Sequence, residues 1–249
     1  MSQVGEHEFK KVSKRKKIIL GVLVIILLGG AGLSVYFRVP TFLYTQTGGL
    51  SSSTTDTGNY REKALDFYEK KKFEVAVIEL ERAVLKNPDD FEAQYLLGQS
   101  YEALGKINSA IEAYKKAVEL RPENAQVYYN LAIVYKATGA NSLAIKMLEK
   151  AVKNDEDFVG ARFMLAKMYL EEKQPYKAKR ELERIVEINP YGFDMAEVHL
   201  ELGLVYLKNN DKEKAVAEWE KALEINPDYG LAKDLLEKYN VLIDEETVN

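Results

Sequence analysis

The chain has 249 residues, 30% of them charged and 47% hydrophobic, with a formal charge of −4, the composition of a globular protein rather than a disordered one. It has no cysteine and only two histidines, His7 and His199, far apart, which excludes disulfides, thiolate metal sites, Cys nucleophiles and a His-rich metal centre. Residues 1–38 carry seven basic and two acidic groups, a net of +5 that leaves −9 on the other 211 residues; an acidic body repels nucleic acid, so no nucleic-acid partner is expected.

In chain order, a basic head (1–17) is followed by twenty uncharged residues, Ile18 to Phe37. At about 1.5 Å per residue they span roughly 30 Å as a helix, the hydrocarbon thickness of a bilayer. The segment 18–37 reads as a transmembrane helix, which makes the lipid bilayer an expected partner. Six Lys/Arg precede it and only Arg38 follows closely. The positive-inside bias then predicts a single-pass cell-membrane protein with a cytosolic N-terminus and an extracytoplasmic body. A cleaved signal peptide is the alternative, with Ile18–Leu28 as its apolar core and Gly30-Ala31-Gly32 as a small-residue cleavage site. Residues 38–56 read as a flexible linker, rich in Gly, Ser and Thr in their second half.

From Thr57 one pattern recurs. Ala76, Ala110, Ala144 and Ala178 are 34 residues apart, and Ala215 follows after 37. Counting nineteen residues back from each alanine defines five units: 57–90, 91–124, 125–158, 159–192 and 196–229. Position eight is small in all five (Ala64, Gly98, Ala132, Ala166, Gly203), and position eleven is aromatic (Phe67, Tyr101, Tyr135, Tyr169, Tyr206). Position 24 is large and apolar (Leu80, Tyr114, Leu148, Leu182, Trp219). Pro88, Pro122, Pro190 and Pro227 fall near the unit ends, with Glu156 in the third. Each unit thus reads as two amphipathic helices that approach closely over the small residue and end before a proline.

This pattern resembles the tetratricopeptide repeat family over about 173 residues, most of the body. The resemblance implies an all-α, right-handed solenoid of five helix-turn-helix repeats. The layout is also similar to that of bacterial envelope proteins of the family that assist assembly or secretion complexes. Two departures stand out: the family's frequent tryptophan at position four is replaced by Tyr60, Gln94, Tyr128, Arg162 and His199, and Lys63 replaces an expected Leu. Phe193-Asp194-Met195 are extra residues between units four and five, read as a lengthened turn or as a functional contact. Residues 230–249 read as a capping helix, with Leu231, Leu235, Leu236 and Tyr239 on one apolar face, and an acidic tail.

The resemblance places an exposed concave groove on the first helices, at positions two, five, nine and twelve. Position five is Arg61, Tyr95, Tyr129, Phe163 and Leu200. Around these lie Glu92, Gln99, Glu102, Gln126, Ile133, Lys136 and Lys167, with Leu170, Leu204 and Leu207 at the C-terminal end. Aromatic anchors suit an extended peptide or an amphipathic helix, so the expected partner is a protein or peptide of the cell envelope. Packing of the same aromatics against neighbouring helices is the competing reading. The clamp with which some family members grip a chaperone's C-terminal carboxylate is missing, since units one to three offer Arg61, Leu65, Leu96, Gln126 and Asn130 in its place. No catalytic residue, metal site or cofactor is expected, and Asp155-Glu156-Asp157 lacks the spaced ligands of a calcium loop. The reading is a non-catalytic, membrane-tethered scaffold or assembly factor. The alternatives are a self-associating structural protein that forms homo-oligomers, and an accessory subunit of an envelope enzyme or secretion complex.

Overall fold

The computed structural model describes residues 54–247, and their side chains over 58–239. All regular structure among the described residues is helical. The helices pair as α1 (Thr54–Glu69) with α2 (Phe73–Lys86), α3 (Phe91–Ala103) with α4 (Ile107–Leu120), and α5 (Ala125–Ala137) with α6 (Asn141–Asn154). Then come α7 (Val159–Glu171) with α8 (Pro175–Ile188), α9 (Met195–Lys208) with α10 (Lys212–Ile225), and a last helix, α11 (Gly230–Thr247). Each helix packs on its partner and on the next helix in the chain, the nearest-neighbour stacking of a solenoid.

The expected transmembrane helix 18–37 lies outside the described residues, as do the basic head and most of the linker. Among the described residues no helix is long and apolar enough to cross a membrane. This corrects the expected location, a cell-membrane protein with a cytosolic N-terminus and an extracytoplasmic repeat domain. Helices α1 to α10 have 13–16 residues, roughly 20–24 Å against a bilayer's roughly 30 Å, and α11 is interrupted by charges such as Lys233, Asp234 and Glu237.

The repeated positions build the core. Ala76, Ala110, Ala144, Ala178 and Ala215 are fully buried, and so are Leu80, Tyr114, Leu148, Leu182 and Trp219. Position eight is matched to position 24 within each repeat. Ala faces Leu in the first, third and fourth repeats, whereas Gly98 faces Tyr114 and Gly203 faces Trp219. A Cβ on Gly98 would lie 2.5 Å from the Tyr114 ring, so the larger partner takes the volume a methyl would fill.

Turn chemistry repeats as well. Position fifteen, between the two helices, has positive φ in every repeat: Lys71 (57°), Gly105 (68°), Gly139 (75°), Lys173 (57°) and Asn210 (61°). A side chain in this region costs about 1–2 kcal/mol, so Lys173→Gly is expected to stabilise the fold by about 0.5–1 kcal/mol once the greater entropy of the unfolded glycine is subtracted, and so to raise the urea midpoint. A lowered midpoint would contradict this. Where first helices begin, Asp90, Asn124 and Asp194 accept from the backbone N–H three residues on, each at 3.1 Å.

Neighbouring repeats are stitched by a recurring side-chain bond. The Tyr101, Tyr169 and Tyr206 hydroxyls, all at position eleven, donate to Glu81, Glu149 and Glu183 on the preceding repeat's second helix, at 2.5, 2.7 and 3.0 Å. Lys115 occupies the glutamate's position in the second repeat. In the capping helix, Ala232, Leu235, Leu236 and Tyr239 cover Trp219, Leu200 and Ala222. Leu231, expected on that face, is 51% exposed, because the i, i+3, i+4, i+7 stripe starts one residue later.

Candidate functional site

First helices of successive repeats approach one another, α1 with α3, α3 with α5 and α7 with α9, and no two second helices among the described residues come as close. A double row whose members draw together along one side bends toward that side, so the first helices line the concave face. Side chains bridge along the same row. Arg61 Nη1 donates to both Asp90 oxygens at 2.8 and 2.9 Å, Lys136 reaches Glu171 at 3.3 Å, and Lys167 reaches Glu197 at 3.1 Å and Glu201 at 3.6 Å.

The aromatic ladder of Tyr95, Tyr129 and Phe163 is half-buried, and each member leans on a second ring. Tyr95 stacks on Phe91 with centroids 6.0 Å apart and tilts against Tyr114 at 6.0 Å. Tyr129 lies 5.0 Å from Phe158, and Phe163 meets Phe193 edge-on at 5.5 Å. Lys167 Nζ lies 5.3 Å above Phe163. The Tyr95 hydroxyl accepts from Asn130 Nδ2 at 3.0 Å and Gln99 Nε2 at 3.4 Å. Each ring thus packs against a neighbour while part of its surface stays exposed. Gln99, Ile133, Lys136 and Leu204 are half-buried along the row. Leu200 is 3% exposed: its side chain packs in the core and offers no groove surface, because the capping helix closes over it.

Sequence reasoning passed over Phe91 and Phe158, and singled out Phe193 only as part of the insertion between units four and five. Each lies within two residues of the start of a first helix, and that shared placement was the available signal. Phe158 stands where Asp90 and Asn124 cap α3 and α5; it makes no side-chain cap bond and packs on Tyr129 instead. Phe193 gives the three-residue insertion a contact in the row. His199 is buried, and its Nδ1 lies 2.6 Å from Glu218.

Burial shapes the carboxylates of this face. Glu201 is pushed above the ordinary carboxylate range by desolvation, against the opposing pull of Lys167. Glu102 is raised by desolvation too, although the Tyr114 hydroxyl, donating to it at 2.6 Å, works the other way. A carboxyl whose folded pKa is raised favours folding most below its unfolded value of 4.5 and loses that contribution as pH rises through the folded value. Glu102→Gln is therefore expected to raise the thermal midpoint at pH 7 and leave it unchanged at pH 4. A lowered midpoint at pH 7 would show that the charge is stabilising.

A cleft of about 350 Å³ opens beside the first two repeats, lined by Arg61, Asp90, Phe91, Glu92 and Arg121 among others. Four of its charges pair within it: Arg121 bonds Glu92 at 2.7 Å and lies 4.1 Å above Phe91, while Arg61 bonds Asp90.

Family profiles described as TPR repeat and Tetratricopeptide repeat match residues 101–139, 125–158, 159–191 and 196–229. The chain belongs to the tetratricopeptide repeat family, and its repeats are those of a protein–protein interaction scaffold. Among solved structures, MamA is 25% identical with a TM-score of 0.64, over 70% of this chain and 93% of that one. A MamA segment from Desulfovibrio magneticus RS-1 is 20% identical with a TM-score of 0.61, over 73% and 99%. YrrB, described as a TPR protein with an unusual peptide-binding site, is 23% identical with a TM-score of 0.63, over 74% and 97%. No curated protein matches the sequence.

Proposed function

We propose that the chain is a non-catalytic scaffold or assembly factor that holds a peptide or helix of a partner protein along the concave row of first helices. The observation that carries this is the half-buried ladder of Tyr95, Tyr129 and Phe163 on three consecutive first helices, at 34-residue spacing. Each ring is braced by a second ring, which lowers the entropy lost when a partner packs on its exposed surface. Gln99, Ile133, Lys136, Lys167 and Leu204 surround the ladder, and Arg61 marks its N-terminal end. Leu200 belongs to the core rather than to this surface.

The test starts from a random-peptide selection on the full chain, followed by affinity measurement of the best binder. Tyr129→Ala and Phe163→Ala should each weaken it about tenfold or more. Tyr176→Ala, at a 77% exposed position on α8, should leave it unchanged. Equal losses at all three positions, or none in the groove, would remove the reading.

A further inference from the structure

Along the concave face, carboxylates are matched with cations. Asp90 pairs with Arg61, Glu92 with Arg121, Glu171 with Lys136, and Glu197 and Glu201 with Lys167. Glu102, at position twelve of the second repeat, breaks the rule. It is half-buried, and its hydrogen bond comes from the neutral Tyr114 hydroxyl at 2.6 Å; no Lys or Arg among the described residues forms an ion pair with it.

Its surroundings are aromatic. Tyr114 on α4, whose hydroxyl donates to Glu102, tilts against the ladder ring Tyr95 with centroids 6.0 Å apart, and Asn130 on α5 donates to the Tyr95 hydroxyl at 3.0 Å. Glu102 thus lies beside the Tyr95 rung of the ladder. A half-buried carboxylate with no ion pair offers a cation a charge-assisted hydrogen bond. We infer that Glu102, beside the Tyr95 rung of the ladder, is the seat for a Lys or Arg side chain of the partner peptide. The inference rests on the groove reading above and adds to it the chemistry of the occupant: a peptide whose basic residue is flanked by apolar ones that meet Tyr95 and Phe163.

Peptide pools, randomised except for one central residue fixed as Lys, Arg, Gln, Leu or Glu, test this by titration onto the full chain. The Lys and Arg pools should bind about tenfold more tightly than the Gln and Leu pools, the worth of a charge-assisted bond in a half-buried site. In Glu102→Gln that preference should fall below about twofold while the Leu pool binds as before. Glu201→Gln, altering a carboxylate that already has Lys167, should keep the preference. Equal binding of all pools, or a basic preference that survives Glu102→Gln, would overturn the inference and leave the groove reading standing. Failure of every pool to bind would remove both.

Discussion

Arg162→Met is expected to destabilise the fourth repeat by about 3–5 kcal/mol. Arg162 and Glu181 are both nearly enclosed, with side chains 10% and 5% exposed. They form a direct ion pair, and Arg162 Nε also donates to the Glu156 carbonyl at 2.7 Å. Removing the guanidinium strands the Glu181 carboxylate in a space water scarcely reaches. Arg180, 3.5 Å away but 77% exposed, is too solvated to replace it. The same two positions hold Tyr128 and Met147 in the third repeat and Gln94 and Ala113 in the second, so the fold does not require charge there. The double variant Arg162→Tyr/Glu181→Met should therefore recover most of the loss, since an apolar pair often equals a buried ion pair. Urea denaturation of the wild type, both single variants and the double variant checks this. A mild effect of Arg162→Met alone would show that water reaches Glu181.

Gly203→Ala carries the second large effect, a loss of about 3 kcal/mol despite alanine's advantage of about 1 kcal/mol in a helix. The new methyl would stand 2.3 Å from Trp219 Nε1 and 2.9 Å from the Ala215 carbonyl oxygen. The indole is fully buried beneath Tyr239 and its N–H donates to the Leu200 carbonyl at 3.3 Å, so it has no room to withdraw. Trp219→Leu recreates the Ala–Leu pairing of the first, third and fourth repeats when combined with Gly203→Ala. The double variant should be more stable than Gly203→Ala alone, a sign reversal that differential scanning calorimetry would read directly. If the two losses simply add, the matched-volume account of positions eight and 24 is wrong.

The period of 34 residues made most of this fold legible, because helix faces, turn and cap recur and each recurrence supports the others. Ala76 and its four counterparts, and the aromatics at position eleven, sit where the repeat put them. What the period hid is what varies between repeats. Gly98 with Tyr114 and Arg162 with Glu181 are compensating changes, visible in sequence only once the two helices are laid side by side. Lys71 and Lys173 give no sequence sign of a left-handed turn; the conformation is imposed by the closed helical hairpin and shared with Gly105 and Gly139. The site was half legible. Tyr95, Tyr129 and Phe163 fall on successive first helices as expected, but Leu200 is drawn inward by a capping helix whose register the sequence left one residue off. The bracing rings Phe91, Phe158 and Phe193 lie at repeat edges, where periodicity is weakest.

The central claim is that a partner lies along the first helices. A photoreactive phenylalanine analogue placed at Tyr129, with Lys146 on the exposed side of α6 as the comparison, tests it in cells that make the full chain. The account predicts that one distinct protein crosslinks from position 129, is absent from position 146, and is lost when Phe163 is also changed to alanine. Crosslinks only between copies of the chain, or the same products from both positions, would contradict it.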